Sequence, residues 1–154
     1  MNVLMVCLGN ICRSPMAQGI LEHKIKQHSL AVGVDSAGTA SYHIGEPPDQ
    51  RAIHKSFQKG IDISEYRARQ FTTSDFQDFD LIFAMDESNY NDILTHAQND
   101  QDKHKVHLIL NKIYPGQNMS VPDPYYGGDD GFENVFKLLD SACDKIIDEI
   151  IYER

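Results

Sequence analysis

The stretch Asn2-Val-Leu-Met-Val-Cys-Leu-Gly-Asn-Ile-Cys-Arg-Ser-Pro15 decides how this chain folds. Asn2 to Cys7 is a short apolar run with β-branched residues that stops at Leu8-Gly9-Asn10, and Ser14-Pro15 opens an amphipathic stretch to about His28. The order is strand, loop, helix. Ser14 is a good N-cap and Pro15 suits the first helical position, so the loop from Cys7 to Arg13 is expected to end at a helix N-terminus.

Working outward, Ala31 to Ala37 reads as a second strand and Asp49 to about Lys59 as a helix ended by Gly60. Thr72 to Phe79 reads as a short capped helix, Asp80 to Met85 as a buried strand, and Asp86 to about Ala97 as a helix with acidic residues in its first turn. Lys105 to Leu110 is a fourth strand. A long loop from Asn111 to Asp130 precedes a last helix, Gly131 to Tyr152, whose Phe132, Val135, Phe136, Leu139, Cys143, Ile146, Ile147 and Ile150 make one stripe. Strands separated by helices predict an α/β fold of one domain spanning 1–154. Its expected core is a four-stranded parallel sheet covered by helices on both faces, with a phosphate-binding loop between the first strand and first helix.

The 154 residues carry 14 Lys+Arg against 23 Asp+Glu, net −9, which repels a nucleic-acid backbone or an anionic membrane. Residues 1–60 are nevertheless net +2 and 61–154 net −11, so an anion site fits the N-terminal part. No apolar run has the length of a membrane span and no secretory leader is evident, so a cytoplasmic protein is expected. Three cysteines are too few for a disulfide scaffold, and seven histidines show no paired metal spacing. No metal or cofactor is expected.

The loop has the chemistry to hold a tetrahedral oxyanion. Successive backbone N–H groups of residues 8–13 can point inward, and the helix behind them adds its positive end. Gly9 and Asn10 tolerate the left-handed conformations that such curling needs. Arg13 can grip two phosphate oxygens through its planar fork, which Lys cannot. The same field favours a thiolate at Cys7, and a thiolate facing bound phosphorus is a nucleophile for phosphoryl transfer through phosphocysteine. The leaving oxygen then needs a proton, and Asp123 is the candidate donor. It sits in Val121-Pro-Asp-Pro-Tyr-Tyr-Gly-Gly128, where two prolines stiffen the backbone and two tyrosines thin the water around the carboxyl. The same group could later activate water.

Cys7 through Pro15 at the N-terminus, with Asp123-Pro-Tyr-Tyr-Gly127 late in the chain, resembles the low-molecular-weight protein tyrosine phosphatases. Asp35-Ser-Ala-Gly38, Gly45-Glu-Pro-Pro-Asp49, Ala68-Arg-Gln70 and Met85-Asp-Glu-Ser-Asn89 agree with that family's spacing. The resemblance implies Cys7 as nucleophile, Arg13 as phosphate clamp and Asp123 as general acid. It implies a substrate-binding loop of Leu8, Gly9, Asn10, Ile11, Cys12 and Ser14, with Asn10, Ser14 and Ser36 holding the loop and Asp86 orienting Arg13. Tyr42, Tyr125 and Tyr126 fall where the family builds its substrate walls, and His43, beside Tyr42, falls where family members vary and is expected to bias the neighbouring substrate residues. Cys12 falls where the family pairs a second thiol with its nucleophile. The implied partner is a phosphotyrosine-bearing protein, a tyrosine kinase among the candidates. In one departure, Glu65 and Tyr66 stand where many relatives carry His. Two other readings keep the same loop. An arsenate reductase of this fold needs redox cysteines between Cys12 and Cys143, where there are none. A phosphocysteine carrier domain needs neither Arg13 nor Asp123.

Overall fold

The computed structural model describes residues 1–153. Four strands, β1 (Asn2–Cys7), β2 (Gly33–Gly38), β3 (Leu81–Ala84) and β4 (Val106–Leu108), form one parallel sheet in the order β2-β1-β3-β4. The helices are α1 (Arg13–Gln27), α2 (Gln50–Gln58), α3 (Asp75–Asp78), α4 (Glu87–Leu94), α5 (Asp100–His104) and α6 (Asp129–Tyr152).

β1 is buried on both sides, and its period-two alternation sends each side to a different core. Val3, Met5 and Cys7 join the layer of Met16, Ile20, Phe132 and Leu139, which α1 and α6 build. Leu4 and Val6 face Phe76, Ile82, Ile93 and Val106 beneath α3 and α4. The expected helices on both faces are present. Cys7 pairs with Gly38 and Val6 with Ala84, so the carboxyl ends of β1, β2 and β3 finish together. Because the chain leaves β1 toward β2 on one side while β3 flanks it on the other, loops diverge there and leave a crevice.

Several boundaries differ from expectation. Ser14 does not cap α1: the cap position is Cys12, without a side-chain cap bond, and Ser14 and Pro15 lie in the first turn. The Ser14 hydroxyl is engaged by the loop instead, and proline fits a first turn whose N–H groups lack helical partners anyway. The fourth strand ends at Leu108, and Ile109–Lys112 tighten into a 3-10 turn. Ile109 and Leu110 bury against the α6 side while Leu108 faces the other core, so one apolar run serves two layers. The helix expected over 72–79 is reduced to Asp75–Asp78, since the Asp75 carboxylate accepts from the Thr72 N–H and from Arg69. The expected helix 86–97 ends at Leu94, and α5, capped by Asn99, was not anticipated. α6 starts two residues early, with Asp129 and Asp130 in its first turn, where acids are favoured.

Candidate active site

The loop between β1 and α1 curls around Cys7. Asn10 takes φ 59°, a left-handed conformation that Asn tolerates, and this turns its N–H to within 3.3 Å of Cys7 Sγ. Ser14 Oγ lies 3.0 Å from the same sulfur. The loop is moored to β2 by the Thr39 and Ala40 N–H groups, which donate to the carbonyls of Cys7 and Leu8. That mooring requires Gly38, because a Cβ there would stand 2.7 Å from the Leu8 carbonyl oxygen and 3.1 Å from the Gly9 carbonyl carbon.

Asn10 organises the interior of the loop. Its Nδ2 donates to Ser14 Oγ at 2.8 Å and to Ser36 Oγ at 3.0 Å, and its Oδ1 accepts from the Arg69 N–H at 3.0 Å. The side chain of Asn10 therefore buttresses the loop from behind, while its backbone N–H and the Ser14 hydroxyl face the sulfur. Ser36 reaches the loop across the β1–β2 pairing, accepting from Asn10 Nδ2 and donating to Gln18 Oε1 at 2.7 Å.

Arg13 is buried at 3% exposure, and its Nη1 donates to Asp86 Oδ2 at 2.7 Å and to the Val121 carbonyl at 3.0 Å. Asp86 reaches this position because β3 ends at Ala84 and its other oxygen caps α4, accepting from the Asn89 N–H at 2.7 Å. Burial works against the Arg13 charge, but Cys7, Asp86 and Asp123 together outweigh it and hold the guanidinium more firmly protonated than usual. Burial, reinforced by the charges of Asp49, Cys7 and Asp123, pushes the Cys12 thiol well up. Cys7, Cys12 and Cys143 are all free thiols.

Asp123 arrives from the far end of the chain. The Val121 N–H donates to the Met85 carbonyl at 2.8 Å, which ties the loop to the end of β3, and the Asp123 carboxylate stands 3.6 Å from Arg13 Nη2. Its other oxygen accepts from the Tyr125 N–H at 3.0 Å. Above it Tyr125 and Tyr126 pack edge to face at 5.0 Å. A cavity of about 220 Å3 results, floored by Cys7 and Arg13 and walled by Leu8, Ile11, Tyr42, His43, Asp123 and the two tyrosines. Gly9 and Cys12 also line it. Tyr42 and Tyr126 are mostly exposed at the rim, and His43, with Nδ1 2.7 Å from Glu46, lies over Gly9. A larger hollow of about 610 Å3 beside α4 and β4 contains neither a cysteine nor an arginine, so size does not mark the site.

Sequence reading did not anticipate Arg51. It pairs with Asp49, donates to the Gly127 carbonyl at 3.3 Å and covers the rings of Tyr125 and Phe132, which ties the Asp123 loop to α2. Nothing local in the sequence couples residues 76 positions apart. Gln18 and Glu22 were also missed, although their i,i+4 spacing on α1 was a readable signal, and Tyr66, singled out only as a departure from the family, donates to Glu22.

A family model described as low molecular weight phosphotyrosine protein phosphatase matches residues 2–154. The chain is 46% identical over 149 residues to a Synechocystis protein provisionally named a low molecular weight protein-tyrosine-phosphatase, covering 96% of this chain and 94% of that one. It is 40% identical over 145 residues to the human low molecular weight phosphotyrosine protein phosphatase, covering 92% and 90%. A crystal structure of a protein tyrosine phosphatase from Entamoeba histolytica superposes with a TM-score of 0.93 at 39% identity, covering 99% of this chain and 98% of that one.

Proposed function

The chain belongs to the low molecular weight phosphotyrosine protein phosphatase family and is a protein tyrosine phosphatase, and from that premise we propose how its residues divide the reaction. Cys7 Sγ attacks the phosphorus of a phosphotyrosine bound in the loop. The S–P bond forms, the P–O bond to the phenol breaks, and Asp123 gives its proton to the leaving oxygen. Water then attacks phosphocysteine, Asp123 takes the water's proton, and the S–P bond breaks to release inorganic phosphate and the thiolate. Arg13, held by Asp86 and Val121, meets two equatorial oxygens of the transferring group with its planar fork, where charge accumulates in the transition state.

The observation that carries this reading is the single cavity holding Cys7, Arg13 and Asp123, with the sulfur at its floor and the carboxyl in its wall. The aromatic walls suit a phosphorylated ring, which is longer and flatter than phosphoserine. Tyr42, His43, Tyr125 and Tyr126 supply those walls in our reading, with a phosphotyrosine-bearing protein such as a tyrosine kinase as substrate. No helix of the described residues is long and apolar enough to cross a membrane. We assign the enzyme to the cytoplasm because a catalytic thiolate needs a reducing compartment. The net charge of −9 leaves nucleic acid out of the partner set.

The test is phosphate release from matched phosphotyrosine and phosphoserine peptides, with C7S as control and acid-quenched mass spectrometry of D123A during turnover. Cleavage of phosphotyrosine alone, silence of C7S and a phosphate adduct on Cys7 are expected. Turnover by C7S, or an adduct elsewhere, would overturn the assignment, and equal cleavage of both peptides would discard the wall argument.

A further inference from the structure

Behind the loop runs a chain of hydrogen bonds whose direction is set at its far end. Tyr66 Oη donates to Glu22 Oε2 at 2.7 Å, and Gln18 Nε2 donates to Glu22 Oε1 at 2.9 Å. Gln18 Oε1 is then left to accept from Ser36 Oγ at 2.7 Å. Ser36 has spent its one proton, so its oxygen accepts from Asn10 Nδ2, and the second proton of that amide goes to Ser14 Oγ. The Arg69 N–H donates to Asn10 Oδ1 in the same sense, and it is the chain from Glu22 that fixes the Ser36 hydroxyl as an acceptor for this amide. Ser14, already an acceptor, has one hydroxyl proton and two groups within reach of it, Cys7 Sγ at 3.0 Å and the Ala37 carbonyl at the 3.5 Å limit, so the sulfur is the nearer acceptor. Gln18, Ser36, Asn10 and Ser14 are all nearly inaccessible to water, so solvent does not scramble these choices.

We propose that Glu22 is a positioning residue for the phosphatase reaction: an acceptor-only carboxylate on α1 that, through Gln18, Ser36 and Asn10, aims the Ser14 hydroxyl proton at the Cys7 thiolate. The proposal rests on the assignment of Cys7 as nucleophile. Burial, followed by the hydrogen bond to Glu22 and its charge, holds the Tyr66 phenol protonated, so Tyr66 remains a donor to the anchor. The 61–66 segment comes close enough only because residue 19 is glycine, since a Cβ there would lie 2.6 Å from Ile63 Cγ2 and 3.0 Å from Ile61 Cγ2.

The experiment measures the pH profile of Cys7 alkylation by iodoacetamide, and kcat and KM for an aryl phosphate, in the full-length wild type, E22L and E22Q. The titratable or charged groups around Cys7 are Cys12, Arg13, Tyr42, His43, Asp123, Tyr125 and Tyr126, with Asp86 behind Arg13, and neither variant alters them. In E22L the alkylation midpoint is expected to rise by about half a pH unit or more, since a hydrogen bond to the charged form is weakened. The kcat is expected to fall about threefold to tenfold with KM within about twofold, because the same donor stabilises the thiolate as it leaves phosphorus. E22Q keeps the wild-type profile: its amide oxygen can serve Gln18 Nε2 while its NH2 meets the Tyr66 oxygen. An unmoved midpoint in E22L overturns the proposal. So does a shift in E22Q equal to that in E22L, which would mean that charge, not hydrogen-bond direction, is felt at Cys7. If E22L does not fold, Q18M cuts the same chain and carries the same two outcomes. Alkylation reads the free thiolate without turnover, so an inactive wild type would count against the catalytic assignment alone.

Discussion

Replacing Asp86 by Asn tests the link between fold and chemistry most directly, because both carboxylate oxygens are spoken for by donors. Oδ1 accepts from the Asn89 N–H at the start of α4, and Oδ2 accepts from Arg13 Nη1. An amide offers one oxygen, so its NH2 must face one of those donors. If it faces Arg13, a charge-assisted hydrogen bond of about 1.5–3 kcal/mol is lost. If it faces Asn89, the helix cap goes, worth about 1 kcal/mol, and buried Arg13 also loses a full countercharge. Either orientation costs about 2–3 kcal/mol. At about 2–4 °C per kcal/mol for a domain of this size, Tm should fall by about 4–12 °C. Arg13 keeps the Val121 carbonyl and Asp123 but no longer has one defined orientation, so kcat/KM for an aryl phosphate should drop at least about tenfold. Calorimetry and steady-state kinetics of D86N and D86A measure both quantities, with D86A the worse because it loses both bonds. A D86N enzyme with wild-type Tm and kcat/KM would refute the reasoning that Asp86 joins the Arg13 clamp to α4.

Three further outcomes are expected. Gly38→Ala forces a Cβ against backbone atoms of Leu8, Gly9 and Asn10, so denaturant unfolding should show a loss of about 1–3 kcal/mol and activity should fall with it. Asp123→Asn should lower kcat on an aryl phosphate about 10²–10⁴-fold, because the leaving oxygen loses its proton donor; an unchanged kcat would remove Asp123 from the proposed mechanism. Burial pushes the thiols of Cys12 and Cys143 far up, which keeps both protonated at neutral and mildly alkaline pH, so iodoacetamide should label one cysteine per chain. Mass spectrometry should find the label on Cys7 and none on C7S.

How much of this was legible depended on the range of the interaction responsible. The β1–loop–α1 unit was readable because an apolar run, a turn-forming pair and a proline lie within fourteen residues, and the meeting of Cys7 and Arg13 in one cavity follows from their spacing in one turn. The Ser14 cap was misread because its hydroxyl had a better use at Cys7 than at its own helix. β4 was overextended because Ile109 and Leu110 continue an apolar run while serving the opposite core.

Local sequence therefore determined the parallel α/β architecture and the placement of Cys7 and Arg13 in one loop between β1 and α1, since hydrophobic period and turn chemistry act over a few residues. Tertiary structure alone decided which carboxylate holds Arg13, how Asp123 and Arg51 meet the loop from distant segments, and which way the Asn10 amide points. Those outcomes depend on strand order, on the burial of Asn10, Ser14 and Arg13, and on the close approach of the 61–66 segment to α1 at Gly19, none of which has a local signature.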